Sequence, residues 1–475
     1  MKPEYGIALN LLCLASGSLA QASDESLSLD RYLAQVQGSN QGYQGAAATQ
    51  HADLAAAQEA TLPFSPQLFT SLQYTDDSRQ TVVPLFEGTR TTTNLDQLGF
   101  KKLFDFGLQS QISYSITSTT LYGVSPQLVP QNSLITSGLT LQLTQSLWQN
   151  GFGKQDQAIR RSVEAQDLAN AYSNAFQTKT ILADAETRYW SLAVARELVA
   201  VQRESADRTI AIRDFNVKRA RSHLIDESDL LTAEAQAKSK QFDLKSAIDN
   251  ERTSARSFNS ARGIDSDQVG AALALPDPED MQRIEIPVRA SMRDDVKSAE
   301  QVEVAITSGS EAATQKQLPA LNLIGTASTN GLDPSLGTSL GDTFTAQYPY
   351  FVVGVNLSVP LDFGTTSSVK RAYAEQIKGA ELTYQRRLFD QENDWKDLVR
   401  RFQEAKERLS IAVDVEKAQK IKFQHEGVRQ KQGVTTTYQV FQYEIDYLTS
   451  ELNRIQTQAI ILGLVAQMNT YRSGS

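Results

Sequence analysis

Residues 139–147 read Leu139-Thr140-Leu141-Gln142-Leu143-Thr144-Gln145-Ser146-Leu147. Leucine takes every second position from 139 to 143 and returns in phase at 147, while hydroxyls and amides fill the positions between. A period of two marks a β-strand with two unlike faces, one apolar and one wet. Gly151-Phe152-Gly153 breaks the run. A second run of the same kind lies far downstream. Val353, Val355, Leu357, Val359 and Leu361 alternate with Gly354, Asn356, Ser358 and Pro360, and Asp362-Phe363-Gly364 ends it. Helical sequence follows each break, from Lys154 to about Arg262 with an interruption near Ser222 to Asp226, and from about Ser367 to Thr470.

Working outward from these two strands, the chain reads as one unit written twice. In the first, Leu27-Ser28-Leu29-Asp30 leads into a helix through Val36, and an Ala/Gln-rich helix runs from about Gln44 to Leu62, stopped by Pro63 and Pro66. Leu68 to Tyr74 is a further strand. In the second, a helix over Asp294 to Lys316 ends at Pro319, and Leu321-Asn322-Leu323 opens a strand. The domain reading is therefore a first structural repeat over 23–263, a linker over 264–290 and a second repeat over 291–475. Each long helical stretch up to its break would be a rod of roughly 100 Å at 1.5 Å per residue, too long to fold around a compact core. Apolar seams support supercoiled packing. Trp395, Leu398, Phe402, Ala405, Leu409 and Ala412 form one; Ile445, Leu448, Leu452, Ile455, Ala459, Leu462 and Ala466 form another; Ala185, Leu192, Val199 and Ala206 keep a seven-residue step. The long region from Asp76 to Ser133 holds two strand-like runs, Phe100 to Phe106 and Leu108 to Ile116, around Asp105-Phe106-Gly107. They read as an extracellular hairpin or as extra wall strands.

Composition narrows the function classes. Lys plus Arg number 46 against 55 for Asp plus Glu, a formal net charge of −9, which argues against general nucleic-acid binding. A single cysteine excludes a disulfide framework and a Cys-based zinc cluster, and three histidines leave little for metal or acid–base chemistry. Neither a Gly-rich phosphate loop nor an H-E-x-x-H pattern is present. The acidic group Asp226-Glu227-Asp229 reads as surface charge on a solvated helix. No cofactor and no catalytic residue is expected. The first 22 residues have the three-part layout of a removed secretory signal: Lys2, an apolar run from Gly6 to Leu14, and small residues ending Ala20-Gln21-Ala22. Cys13 lies inside that run, where Leu12 is too large for a lipoprotein cleavage box. No later stretch approaches the roughly 18 apolar residues of a membrane helix.

An exported chain with two-faced strands of this length either forms a small soluble sheet or crosses a membrane as β-structure, which is possible only in a closed barrel. Two strands per repeat make four per chain, too few to close alone. Closure then implies an oligomer.

The runs from Leu139 to Trp148 with Gly151-Phe152-Gly153, and from Val353 to Gly364, resemble the TolC-type outer-membrane efflux protein family. So do the proline-bearing junctions Pro66-Gln67-Leu68 and Leu318-Pro319-Ala320-Leu321, and the Arg-x-Asp start of a second half in Met292-Arg293-Asp294-Asp295-Val296. The resemblance spans essentially all of the chain after the signal. It implies an internally duplicated α+β membrane protein, with long coiled-coil helical hairpins in the periplasm and a 12-stranded outer-membrane β-barrel shared by a homotrimer. It implies an exit duct for efflux or type I secretion, in outer-membrane lipid, working with a periplasmic adaptor and an inner-membrane pump or ABC transporter. In the family each hairpin turns at an Arg-x-x-x-Gly tip where the adaptor docks. The matching positions are Arg429, Gly433 and Val434 in the second repeat, and Arg219, His223 and Leu224 in the first, with histidine in place of glycine. Where some members carry constriction aspartates, this chain has Gln439 and Gln442, and Asp229 in the first repeat. A reading from a different class is an exported periplasmic coiled-coil structural protein without a channel.

Overall fold

The structure, a computed structural model, describes residues 26–222 and 225–472. The signal reading over 1–22, Cys13, and the first-tip residues His223 and Leu224 lie outside the described residues. In chain order the elements are α1 (Leu29–Ser39), α2 (Gln41–Ala56), β1 (Gln67–Asp77), α3 (Pro84–Glu87), β2 (Arg90–Leu103), β3 (Leu108–Tyr122), β4 (Ser133–Ser146), α4 (Lys154–Arg221), α5 (Glu227–Ala261), α6 (Pro278–Arg283), α7 (Asp294–Lys316), β5 (Ala320–Asp333), α8 (Leu336–Thr345), β6 (Tyr350–Ser358), α9 (Phe363–Lys431) and α10 (Thr437–Asn469). They fall into two compact units. Among the described residues, one takes 26–44, 180–222, 225–287 and 398–469, the other 45–179, 288–397 and 470–472.

The first unit is helical. Ser28 caps α1 by accepting from the Arg31 amide at 3.4 Å, with Asp30 in the first turn where the helix dipole favours it. Tyr32 and Val36 of α1 are buried with Ala185, Tyr189 and Leu192 of α4 and Ala255 and Phe258 of α5. The Tyr32 ring stacks on Phe258 at 4.2 Å, and its hydroxyl donates to the Phe258 carbonyl at 3.1 Å. Further along, Ile212, Ala233, Val440 and Phe441 form a second cluster with Phe423, so α4, α5, α9 and α10 pack together. Leu398, Phe402, Ala405 and Leu409 are buried, as the heptad reading expects. The α10 seam differs. Its buried face carries Phe441, Leu448, Ile455 and Leu462 at one heptad position, but Glu444, Glu451 and Gln458 at the other, in place of Ile445, Leu452 and Ala459.

The second unit is built on one six-stranded sheet in the order β1-β2-β3-β4-β5-β6, antiparallel throughout. This corrects the expected four strands per chain. Residues 90–122 supply β2 and β3, inserted between β1 and β4 as full members of the sheet. The two strands also run further than the sequence suggests, because each continues in hydroxyl-rich segments (Thr91 to Asn94, Thr117 to Thr120) where no apolar alternation marks it. The second helix ends earlier than expected, at Ala56, and a 3₁₀ segment over Ala57–Phe64 carries Pro63. The last strand also stops short, at Ser358, two residues before Pro360, which has no N–H to offer a ladder.

Backbone contact holds the inserted hairpin in place. Gly107, in its turn, has φ +77°, and Gly153 has φ +80°. A Cβ on Gly153 would lie 2.2 Å from the Asp105 carbonyl oxygen, and one on Gly107 would lie 2.5 Å from the Gly153 nitrogen. Gln157 donates to the Asp105 carbonyl at 2.7 Å, and Arg160 reaches the Asp105 carboxylate at 3.1 Å. Two glycines are needed because the two backbones touch in a left-handed conformation that other side chains resist. The Arg-x-Asp motif is also structural. Arg293 grips Asp295 through two bonds at 2.6 and 2.8 Å, donates to the Tyr471 hydroxyl at 2.6 Å and lies over the Phe176 and Tyr471 rings. Asp294 receives Lys179 at 2.6 Å.

Gly153→Ala should therefore cost on the order of 1–3 kcal/mol through strained backbone. It should release the 104–107 turn, read as faster proteolysis there and a lower melting temperature; a variant as protected as the parent would show that this contact does not anchor the hairpin.

Candidate functional site: a two-faced sheet and two hairpin ends

Cross-strand pairs share a face of the sheet, so the register sorts the side chains directly. Pairing Leu68 with Phe100, Phe100 with Ile112, Ile112 with Leu141 and Leu141 with Ala327 places all of them on one face. The same face holds Leu139, Leu143, Leu323, Val353, Val355 and Leu357. Val353 is 82% exposed and Leu72 76% exposed, so this apolar surface is uncovered in the isolated chain. The other face carries Gln97, Gln111, Ser113, Thr140, Gln142 and Ser328. At the end of the sheet nearest the start of α4, this polar face lines a cavity of about 300 Å³ between Gln67, Lys101, Gln109, Gln111, Gln142 and Thr144. Aromatic residues gather towards the ends of the apolar face. Tyr74, Tyr122 and Phe351 are near one end, where Arg90 lies over Tyr122 at 5.3 Å and pairs with Asp76 at 2.7 Å. Phe104 stands at the other, with Lys102 over its ring.

The hairpin ends lie in the helical unit. Gly433 has φ +74°, and the space around its Cα is open. A side chain there would meet no neighbour, yet it would be strained by the left-handed backbone itself. The Gly433 N–H donates to the Gln430 carbonyl and the Val434 N–H to the Arg429 carbonyl, both at 3.0 Å. Those two bonds are the Schellman closure of α9. Arg429 pairs with Glu426 at 3.2 Å while its side chain stays 56% exposed, and the Thr435 hydroxyl bonds the same carboxylate. Val434 is exposed. At the first hairpin, the Arg219 guanidinium lies over Phe215 at 5.7 Å. Asn216 is fully buried and accepts from the Thr437 hydroxyl at 3.0 Å, which pins α4 to α10. Gln439 is half-buried, and its backbone N–H donates to the Thr436 hydroxyl at 3.3 Å. Gln442 donates to Asp446 at 3.2 Å, and Asp446 faces Lys422 at 3.5 Å. Asp229 sits in the first turn of α5, half-buried.

A buried charge cluster between α4 and α10 escaped the sequence reading. Arg208 reaches Glu444 at 3.4 Å and Glu451 at 3.2 Å and lies over the Tyr447 ring at 5.0 Å. Ser205 donates to Glu444 at 2.6 Å, and Glu444 is fully buried. The seven-residue recurrence of Glu444, Glu451 and Gln458 is the signal in the sequence, and it is easily missed because a seam is sought among apolar residues. Burial lifts the Glu451 carboxyl above its ordinary value, against the opposing pull of the Tyr447 hydroxyl and Arg208.

The expectation that no G-x-S-x-G occurs is wrong: Gly337-Thr338-Ser339-Leu340-Gly341 has that nucleophile-elbow spacing, and reading the sequence missed it. The structure puts Ser339 inside α8, fully buried and bonded to the Gly331 and Ile135 carbonyls rather than on an exposed strand-to-helix turn.

No family model and no curated protein matches this sequence. Solved structures do match its fold. The outer-membrane channel OprN aligns with a TM-score of 0.64 at 16% identity, covering 93% of this chain and 89% of that one. The Campylobacter jejuni CmeC outer membrane channel gives 0.66 at 13%, covering 99% and 94%. The open-state Neisseria gonorrhoeae MtrE outer membrane channel gives 0.63 at 13%, covering 99% and 97%. The chain has the fold of the TolC-type outer-membrane channels.

Arg208→Ala would leave two carboxylates buried without their cation, at a cost of about 3–5 kcal/mol; a loss below about 1 kcal/mol in thermal or denaturant unfolding would mean water already screens the cluster. Because the folded pKa of Glu451 is raised, its contribution favours folding at low pH and is lost as pH rises through the folded value. The melting temperature should rise on acidification just above the ordinary glutamate range, and Glu451→Gln should remove that part of the slope.

Proposed function

We propose that this chain is a TolC-type outer-membrane factor, the exit duct of an efflux or type I secretion assembly rather than an enzyme. The observation that carries the reading is the sheet with one uncovered apolar face and one polar face. Lipid against the first and a water-filled lumen against the second satisfy both. The edges support closure by copies. In the chain by itself β1 and β6 each have one sheet neighbour, and β6 (Tyr350 to Ser358) contains no charge and no proline to blunt its free edge. An even number of strands lets β6 meet β1 of the next copy antiparallel. A homotrimer then closes with three copies of six strands, 18 in all, in place of the 12 that the family resemblance implies. The reading as a periplasmic coiled-coil structural protein would leave the apolar face facing water.

On this reading residues 1–22 are the export signal, and residues 23–263 and 291–475 are the two repeats, joined by 264–290. The helical part lies in the periplasm. The Schellman turn at Gly433, with Arg429 and Val434, docks a periplasmic adaptor that recruits an inner-membrane pump or ABC transporter. Arg219, His223 and Leu224 form the weaker first tip. Gln439, Gln442 and Asp229 line the constriction as a mostly uncharged ring.

The test is reconstitution. Detergent-extracted outer membranes should yield a cross-linkable trimer that conducts ions in planar bilayers, and Val353→Lys should block insertion, since a lysine on the lipid face costs about 2–4 kcal/mol at the midplane. A water-soluble monomer without conductance would sink the proposal. Gly433→Val should leave trimer abundance unchanged but abolish export in a strain lacking the native gene. Full export by that variant would move the docking site elsewhere.

A further inference from the structure

The element between β5 and β6 has no role in the duct as described. α8 folds back over the apolar face of the sheet, at the end away from α4, and it does so through small hydroxyl residues. Ser137 of β4 is fully buried beneath it. The Ser137 hydroxyl donates to the Ser339 carbonyl at 2.7 Å and lies 2.6 Å from the Thr343 hydroxyl. Ser339 in turn donates to the Gly331 carbonyl at 3.0 Å, and Thr343 to the Ser137 carbonyl at 3.1 Å. Gly331 is needed for this approach, because a Cβ there would lie 1.9 Å from the Ser339 carbonyl oxygen. Small residues and shared hydroxyl bonds are how elements associate where apolar burial offers no advantage, as inside a bilayer.

The helix is amphipathic in an unusual sense for a loop over a sheet. Leu336, Leu340 and Phe344 fall four residues apart on one side, while Thr338, Asp342 and Thr345 fall on the opposite side. Phe344 is 71% exposed although its ring is parallel to Tyr114 of β3 at 6.0 Å. Tyr114 and Leu139 are paired on the apolar face, so the Phe344 stripe continues the apolar surface of the wall. Beneath the helix that surface is interrupted by Ser137, Thr329 and Gly331. α8 covers a stretch of wall too small and polar to meet lipid and puts leucine and phenylalanine in its place.

We propose that α8 is a membrane-surface helix: it lies against the outside of the barrel in the outer leaflet, with Leu336, Leu340 and Phe344 among acyl chains and Thr338, Asp342 and Thr345 towards the headgroups. This rests on the barrel reading above. The occupant is lipid rather than another protein, because the stripe is continuous with the face that reading gives to lipid.

The test uses the trimer extracted from outer membranes; the one native thiol, Cys13, leaves with the signal on the reading above, and Cys13→Ser clears it from any unprocessed chain. Single cysteines at Phe344→Cys, at Val353→Cys on the apolar face and at Gln111→Cys on the polar face carry a bimane fluorophore. The trimer is reconstituted in phosphatidylcholine vesicles containing doxyl-labelled phosphatidylcholine, with iodide as the aqueous quencher. The expected result is strong doxyl quenching and weak iodide quenching at 344 and 353, and the reverse at 111. Adding Gly331→Ala should unseat the helix and expose 344 to iodide while 353 keeps its lipid quenching. If 353 is quenched by lipid and 344 only by iodide, the α8 inference fails and the barrel stands. If 353 too is reached only by iodide, the barrel reading fails and α8 falls with it.

Discussion

Strand register governs the sheet-bearing unit. Side chains alternate with a period of two, so a slip of one residue at any pair would carry Leu139, Leu141 and Leu143 to the glutamine face and Gln142 to the leucine face. Nothing in the hydroxyl-rich parts of β2 and β3 would oppose such a slip, since threonine and serine suit either face. The opposition comes from fixed points. At one end the Gly107 and Gly153 backbones touch, and at the other Ser137 sits under Ser339 and Thr343. Between those points the backbone bonds have little freedom to move.

The helical unit solves a different problem. A long apolar seam specifies that helices pack but leaves their register loose. Placing Glu444, Glu451 and Gln458 in the seam, with Arg208 and Ser205 to receive the two carboxylates, makes sliding expensive because any shifted register strands a buried charge. Asn216 with Thr437 does the same nearer the tips with neutral groups. Glu451 also makes the packing depend on pH, because burial raises its carboxyl while Arg208 opposes the rise.

Arg293 shows what a short sequence motif does physically. As a sequence pattern, Arg293-Asp294-Asp295 looks like a family marker at the start of a second half. In the structure it is a knot: a guanidinium held by Asp295 and the Tyr471 hydroxyl between two aromatic rings, beside an Asp294 neutralised by Lys179. It ties the α7 start to the segment at 470–472, far away in the chain.

Features that depend on near neighbours in the chain are legible in the sequence alone. Alternation at 139–145 and 353–357, a proline after the α7 helix, seven-residue spacing in α4 and α9, and a glycine at 433 that takes positive φ are all local preferences, and the structure carries each of them. Features that depend on partners distant in sequence are not. β2 and β3 are members of the sheet because β1 and β4 pair with them, not because threonine demands a strand. Glu444 and Glu451 occupy the α10 seam because Arg208 waits opposite, and Gln458 because the Pro276 carbonyl and Arg454 receive it. α8 turns its serine inward because Gly331 and Ser137 leave room for a backbone to approach. A polar side chain carries no mark of burial until its hydrogen-bond partner is known, and for Ser205 with Glu444 or Ser137 with Ser339 that partner lies two hundred residues or more along the chain.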